Sequence, residues 1–305
     1  MKYIVTGGAG FIGSHIVRRL VSENNQVIVY DNFSRGKIEN LSDVEEKIII
    51  NKADILDYDL LEKSMNDVDG VFHQAALTSV PESFSNPKKY HSVNVDGTEN
   101  VFKIATKLKI KVVYASTSSV YGDSSSIPIS ENSRKNPINP YGLTKLDDEK
   151  LAIKYHNLGT SIIGLRYFNV YGNGQNLDYA GVITKFYNAI QENKSPTVFG
   201  DGSQIRDFIS VEDVANANYK AMVSTNNFSF LNIGTGISTK ILDLANLMIN
   251  LSHRDLYPTF EKLPKGDVIE SLADTFLAKK IIDWEYTTQL SEGLKKYFFT
   301  KNIKN

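Results

Sequence analysis

The chain has 305 residues, 41% of them hydrophobic and 23% charged, the composition of a folded globular protein and not of a disordered or membrane-spanning one. Its 34 basic and 35 acidic residues nearly cancel, so no general attraction to polyanions exists and nucleic acid is not an expected partner. Cysteine is absent and the five histidines are scattered, which excludes disulfides, a cysteine nucleophile and a thiolate or histidine-cluster metal site.

Lys2-Tyr3-Ile4-Val5 enters a strand pattern at once. That leaves no room for a secretory stretch, and no run reaches membrane-spanning length, so a cytoplasmic protein without a membrane partner is expected. Short apolar runs at 3–5, 27–30, 47–50, 70–73, 111–115 and 161–165 alternate with helical patterns at 11–22, 56–65, 93–108 and 141–157. Such alternation predicts parallel βα units with crossovers on both sheet faces. From about Tyr171 the chain becomes richer in loops, with Asn-Gly, Asp-Gly and Gly-Thr-Gly punctuation, short strands near Thr197 and Phe228 and helices near Val211 and Ile241. The expected fold is α/β: a doubly wound Rossmann sheet over 1–170 with a returning segment near 205–235, and a smaller mixed α/β substrate-binding region over 171–305 that shares a cleft with it.

The first strand runs into Thr6-Gly7-Gly8-Ala9-Gly10-Phe11-Ile12-Gly13 and then a helix. Glycine at three-residue intervals allows a sharp turn and lets the backbone approach a pyrophosphate, whose charge the helix start attracts. A second strand ends at Asp31, close to the spacing of about 20 residues expected for an acid that binds the adenosine ribose. Its carboxylate accepts from ribose hydroxyls and repels a 2′-phosphate, so NAD is expected over NADP despite the nearby Arg35.

Tyr141 and Lys145 stand four apart at the start of a helical segment and share one face of it. Free tyrosine has a pKa of about 10, and a lysine ammonium stabilises the phenolate, so the pair suits proton transfer. Upstream, the strand from Lys111 ends in Ser116-Thr117-Ser118-Ser119, and a hydroxyl at the C-terminal end of a strand faces the ligand crevice of a doubly wound sheet.

With these residues in view, the chain resembles the extended short-chain dehydrogenase/reductase family, and within it the nucleotide-sugar 4-epimerases. The resemblance runs through residues 6–13, Asp31-Asn32, Asp54-Ile55, His73-Gln74-Ala75-Ala76, the Thr117 to Gly122 stretch ending in Val-Tyr-Gly, Tyr141-Gly-Leu-Thr-Lys145, Leu165-Arg-Tyr-Phe-Asn169 and Arg206-Asp207-Phe208. It implies a catalytic trio of Thr117, Tyr141 and Lys145. For NAD it implies contacts from Gly7, Gly10, Phe11, Ile12, Gly13, Asp31, Asn32, Ser34, Asp54, Ile55, Gln74, Ala75, Ala76, Thr78, Asn94 and Phe168, besides Tyr141 and Lys145. For a UDP-sugar it implies Ser79, Thr117, Ser119, Asn169, Gln175, Val182, Arg206, Asp267 and Ser271.

The implied reaction inverts C4 of UDP-glucose or UDP-galactose through a 4-keto sugar with transient NADH. Ser271 stands where glucose-restricted relatives carry a bulky tyrosine, which leaves space for a 2-acetamido group and extends the expectation to the N-acetylated pair. The pattern departs from relatives that carry arginine three before the position of Asp267, for here Pro264 stands there, followed by Lys265. Sugar 4,6-dehydratases place an acidic pair after the catalytic threonine, whereas Ser118-Ser119 follows Thr117 here. A UDP-glucuronate 4-epimerase or decarboxylase, a sugar 4,6-dehydratase despite that departure, and an NAD-sensing scaffold stay open as alternatives. The resemblance also suggests a homodimer through the helices near 93–108 and 141–157.

Overall fold

In the computed structural model, which describes residues 1–124, 126–175, 181–262 and 268–302, the N-terminal half alternates strand and helix. The elements are β1 (Lys2–Thr6), α1 (Phe11–Ser22), β2 (Gln26–Asp31), β3 (Ile48–Lys52), α2 (Tyr58–Met65), β4 (Gly70–His73), α3 (Val80–Ser85), α4 (Pro87–His91), α5 (Gly97–Leu108), β5 (Lys111–Thr117), α6 (Pro140–Asn157) and β6 (Ile162–Tyr167). The C-terminal part contributes β7 (Asn169–Tyr171), α7 (Val182–Gln191), β8 (Thr197–Phe199), β9 (Ile205–Arg206), β10 (Phe208–Ser210), α8 (Val211–Val223) and β11 (Phe228–Ile233). It ends with β12 (Thr239–Lys240), α9 (Ile241–Ser252), β13 (Thr259–Glu261), β14 (Glu270–Ser271), α10 (Phe276–Ile282) and α11 (Leu290–Asn302).

Seven strands form one parallel sheet in the order β11-β6-β5-β4-β1-β2-β3. The order reverses between β1 and β4, and that switch point is where a doubly wound sheet opens its ligand crevice. The strands are near-continuous apolar runs because both faces are covered. On one face α1 brings Ile16, Val17 and Leu20 and α8 brings Val214, Ala217 and Ala221, all buried. On the other, Leu61 and Met65 of α2, Val101, Phe102 and Ala105 of α5, and Ala152 and Tyr155 of α6 close the second core. The strand at Phe228, read as part of the loop-rich region, is the outermost strand of this sheet and is delivered by the returning segment.

The helix expected from residue 93 starts earlier, at Pro87, and changes pitch on the way. Residues Ser92–Asp96 form a π-helical turn between α4 and α5. A turn of this kind holds one residue more than an α turn and is found mostly where a side chain must be aimed. The side chain aimed here is Asn94.

Outside the sheet, α7, α9 and α11 enclose a third core of Ile183, Phe186, Leu244, Met248, Leu294 and Tyr297, flanked by small two- and three-stranded sheets. Among the described residues no helix is long and apolar enough to cross a membrane.

Candidate active site

The C-terminal ends of β1, β4, β5 and β6 open into a cleft of about 1500 Å³ whose far wall comes from α7, β9 and their neighbours. Gly7, Gly10, Phe11, Ile12 and Gly13 form its floor. Gly7 has φ +66°, and a Cβ there would lie 2.7 Å from Ala75 N; one on Gly13 would lie 2.1 Å from the Gly7 carbonyl oxygen. The loop is thus wound too tightly for any side chain at these positions. Gly10 caps α1 in extended geometry without a side-chain bond, and the first turn of α1 holds no acidic residue. The start of α1 is therefore open toward the cleft and favours an anion, which fits the pyrophosphate of a dinucleotide.

Asp31 braces this loop. Its Oδ2 accepts from Ala9 N at 3.0 Å and its Oδ1 from Phe33 N at 2.8 Å, while burial pushes its carboxyl above the usual range. Each oxygen keeps a lone pair for a ribose hydroxyl. Next to it, Asn32 Nδ2 donates to Asp54 Oδ2 at 2.8 Å and Ser34 N to Asn32 Oδ1 at 2.9 Å, a polar cluster at the adenosine end. Ile55 packs against Gly97 of α5, where a Cβ would come within 2.4 Å of its Cδ1. The Arg35 guanidinium, on the cleft wall, pairs with Glu82 of α3, so its charge is already answered by a carboxylate. An arginine engaged in this way gives a 2′-phosphate no special welcome.

Just after β4, Gln74, Ala76 and Thr78 line the cleft, while Ala75 faces Gly7 from behind. Gln74 is held by Asn218 of α8 and by the Tyr167 hydroxyl, each at 3.2 Å. Ser79 caps α3, accepting from Glu82 N, and is not on the wall. Asn94 does not reach the wall either. It is fully buried, accepts from Leu77 N at 2.8 Å and donates to Leu77 O and Thr144 Oγ1 at 3.0 Å, so it fixes the segment after β4 onto α6. Its amide thus makes three bonds inside the protein and braces that segment.

Thr117, Tyr141, Lys145 and Phe168 meet on the cleft wall. Asn139 caps α6, accepting from Gly142 N at 2.8 Å, and Pro140 starts the helix, which fixes where Tyr141 emerges. The Tyr141 phenol is raised by burial, and Lys145 and a hydrogen bond with Thr117 act in the opposite direction. The Thr117 hydroxyl also accepts from Ser119 N at 3.1 Å and donates to Ser119 Oγ at 3.2 Å, so Ser119 supports Thr117 from outside the wall. Behind this group Ser116 donates to Glu149 at 2.8 Å, and Arg166 grips the same carboxylate with two nitrogens at 2.7 and 2.8 Å. That buried pairing locks the ends of β5 and β6 to α6.

On the far wall stand Asn169, Gln175, Val182 and Arg206. Asn169 Nδ2 is buried without a partner among the described residues, a donor held ready for a ligand. Gln175 accepts from Thr184 Oγ1 at 2.6 Å. Arg206 lies on β9 and donates to the carbonyls of Ile205 and Ile269. Its neighbour Asp207 turns inward, accepting from Thr235, Gly236 and Ala273, and thereby shapes the loop after β11. Ser271 pairs in register with Arg206 and lies buried in β14, beside the far wall. Asp267, with Pro264 and Lys265, lies outside the described residues.

The chain matches the model of the NAD dependent epimerase/dehydratase family over residues 3–234. The chain belongs to this family. Among relatives, a putative UDP-glucose 4-epimerase of Methanocaldococcus jannaschii is 40% identical, with 96% of each chain covered. A UDP-N-acetylglucosamine 4-epimerase from Methanobrevibacter ruminantium M1, solved with UDP-N-acetylmuramic acid, superposes with a TM-score of 0.94 at 37% identity, covering 99% of this chain and 98% of that one. A UDP-glucuronic acid 4-epimerase from Bacillus cereus, solved with UDP-glucuronic acid and NAD, gives 0.92 at 31% identity over the whole of both chains.

Several wall residues of this epimerase/dehydratase were not singled out from sequence. Tyr167, Tyr171, Lys185, Phe186 and Gln204 come from segments whose apolar patterning reads as ordinary core. Gln204 had a local signal, since it follows the Gly-Asp-Gly-Ser turn and precedes Arg206. Asp148 had none: it bonds Lys145 at 2.9 Å, yet in sequence it is one acid in a Leu-Asp-Asp-Glu run.

Proposed function

We propose that this enzyme inverts C4 of a UDP-hexose, interconverting UDP-glucose with UDP-galactose and accepting their 2-acetamido counterparts. The observation that carries the reading is that Tyr141, flanked by Thr117 and Lys145, shares one cleft with an open helix start on one side and with Asn169 and Arg206 on the other. Relatives solved with UDP-sugars support the substrate class.

NAD, when bound, supplies reversible hydride transfer at the sugar C4. Tyr141 takes the proton of the 4-hydroxyl as the 4-keto sugar forms and returns it to the opposite epimer. Thr117 orients that hydroxyl and holds the phenol. Lys145 lowers the phenol against the rise that burial imposes and offers donors to the cofactor ribose. Gly7, Gly10 and Gly13 seat the pyrophosphate, Asp31 the adenosine ribose, and Gln74, Thr78 and Phe168 border the nicotinamide half. Arg206 and Asn169 grip the substrate diphosphate, so the keto sugar can turn over without leaving.

A uronate is the second reading, favoured by Lys185, an exposed cation on the substrate wall that could match a C6 carboxylate. Incubating the NAD-loaded enzyme separately with UDP-glucose, UDP-N-acetylglucosamine and UDP-glucuronate, with products identified by NMR, decides between them. Equilibration of the first two with their C4 epimers is the expected result. Turnover of UDP-glucuronate alone, or release of carbon dioxide, would overturn it. We assign the work to the cytoplasm, and to a homodimer joined through α5 and α6, where Leu143 and Ile153 stand exposed.

A further inference from the structure

Behind Lys145, on the side of α6 that faces the sheet, lies a second carboxylate that the reaction as described does not use. Asp148 Oδ2 stands 2.9 Å from Lys145 Nζ, three residues along the helix, and the two side chains are 0% and 3% exposed respectively. The neighbouring Asp147 behaves differently, pairing on the surface with Lys150 at 2.8 Å. A buried ion pair rarely repays the desolvation of its charges, so the Lys145–Asp148 pair is weak as a device for stability. It also ties up the ammonium that the proton-transfer site needs.

The charged and titratable surroundings of the pair leave Asp148 as its sole close counterion among the described residues. His73, from β4, is neutral, with its pKa lowered to about 3 by burial and then by Lys145. Tyr114, from β5, is raised far into its neutral form by burial. Glu149 is committed to Arg166 and Ser116. Tyr141 shares the helix, and the Thr98 hydroxyl of α5 faces the carboxylate and helps hold its charge, although Asp148 Oδ1 makes no hydrogen bond of good geometry. Thr98 is tied in turn to His73 Nε2 at 2.9 Å, whose Nδ1 meets Thr6 of β1 at 2.7 Å.

We infer that Asp148 is a positioning residue for the proton-transfer pair: it holds Lys145 from behind and offsets its charge, and so sets how acidic the Tyr141 phenol becomes. Lysine alone lowers the phenol, and the carboxylate behind it raises the phenol again. Asp148 therefore keeps Tyr141 a strong enough base to accept the 4-hydroxyl proton and a strong enough acid to return it. Burial lifts Asp148 itself to about 6, against the pull of Lys145, so its own protonation in mild acid lets the lysine act on Tyr141 unopposed.

This inference rests on the assignment of Tyr141 as the proton carrier, and the test separates the two. In NAD-loaded protein without any sugar, the phenolate of Tyr141 is titrated by its near-ultraviolet absorbance as the difference from Tyr141→Phe. Asp148→Asn, which keeps the volume, moves that titration down by about one pH unit, and the acid limb of kcat moves with it while KM stays. Asp148→Ser, which removes the carboxylate without supplying an amide, moves it the same way, and Asp148→Glu returns it toward the parent. A Tyr141 titration that is present but indifferent to Asp148→Asn and Asp148→Ser overturns the inference. Loss of NAD binding in both variants overturns it equally, because it would make Asp148 a structural brace. If no phenolate is lost in Tyr141→Phe, the assignment of Tyr141 itself falls.

Discussion

The sheet half and the C-terminal half of this protein are built on different economies. The first is seven parallel strands with a core on each face, and Thr117, Tyr141 and Lys145 project into the cleft from the end of one of its strands and the start of one of its helices. The second has a single core under three helices and strands of two or three residues, and it contributes the far wall of the cleft. Rigid periodic structure positions the chemistry, and shorter, loop-joined structure selects what is brought to it.

The sharpest way to break that division is Tyr141→Phe, which should lower kcat by about 10²–10⁴-fold while NAD remains bound. Equal turnover in variant and parent would remove the chemistry from the sheet half. Gly13→Val follows, because its Cβ would lie 2.1 Å from the Gly7 carbonyl. Overpacking of that severity costs about 1–3 kcal/mol or more. The expected readout is loss of the thermal shift produced by NAD.

On the other side of the cleft, Arg206→Ala should raise KM for the UDP-sugar by roughly 10- to 100-fold, from the loss of about 1.5–3 kcal/mol of charge-assisted bonding, with NAD affinity unchanged. A fall in kcat at constant KM would instead give the substrate wall a part in the chemistry. The next contrast is in pH. His73 is neutral in the fold with a pKa near 3, against about 6.5 in the unfolded chain. Between those values the unfolded chain takes up the extra proton, so His73 contributes stability that is whole above about pH 6.5 and falls by about 1.4 kcal/mol per unit as the pH drops toward 3. Urea melts at pH 7 and pH 5 should differ by about 2 kcal/mol from this source, and His73→Asn should flatten that slope whatever its stability at pH 7. The smallest effect belongs to the outer face: Leu143→Glu with Ile153→Glu should shift sedimentation toward a monomer without disturbing the NAD site.

The sheet half was largely legible in the sequence for a physical reason. Parallel strands buried on both faces leave apolar runs, helices leave a 3.6-residue period, and a glycine loop that must admit a pyrophosphate permits few residue types. Tyr141, Lys145 and Thr117 could be placed because each sits at a helix start or a strand end. The rest was hidden because its meaning comes from tertiary contact. Asn94 carries no sign in sequence that a π turn aims it at Leu77, Ser271 none that its strand pairing buries it, and Asp148 none that it faces inward while Asp147 faces out.

The π-helical turn at Ser92–Asp96 makes the segment from Pro87 to Leu108 respond to a change of chain length according to where it falls, in a way that substitution would not reveal. Excising the extra residue of the π turn would restore a uniform pitch and leave the flanking turns in phase. Each residue of an α-helix advances it by about 100°, so excising one from α5 would instead swing all that precedes it by that angle. Tyr90, whose hydroxyl reaches Ser79 O at 2.8 Å and Glu82 at 3.3 Å, would be carried away from both. The partner of Arg35 at the cofactor end would lose its tether. A single-codon deletion in α5, far from Tyr141, would thus loosen the rim of the cleft where one in the π turn would not, which makes this turn a phase-keeper for its geometry.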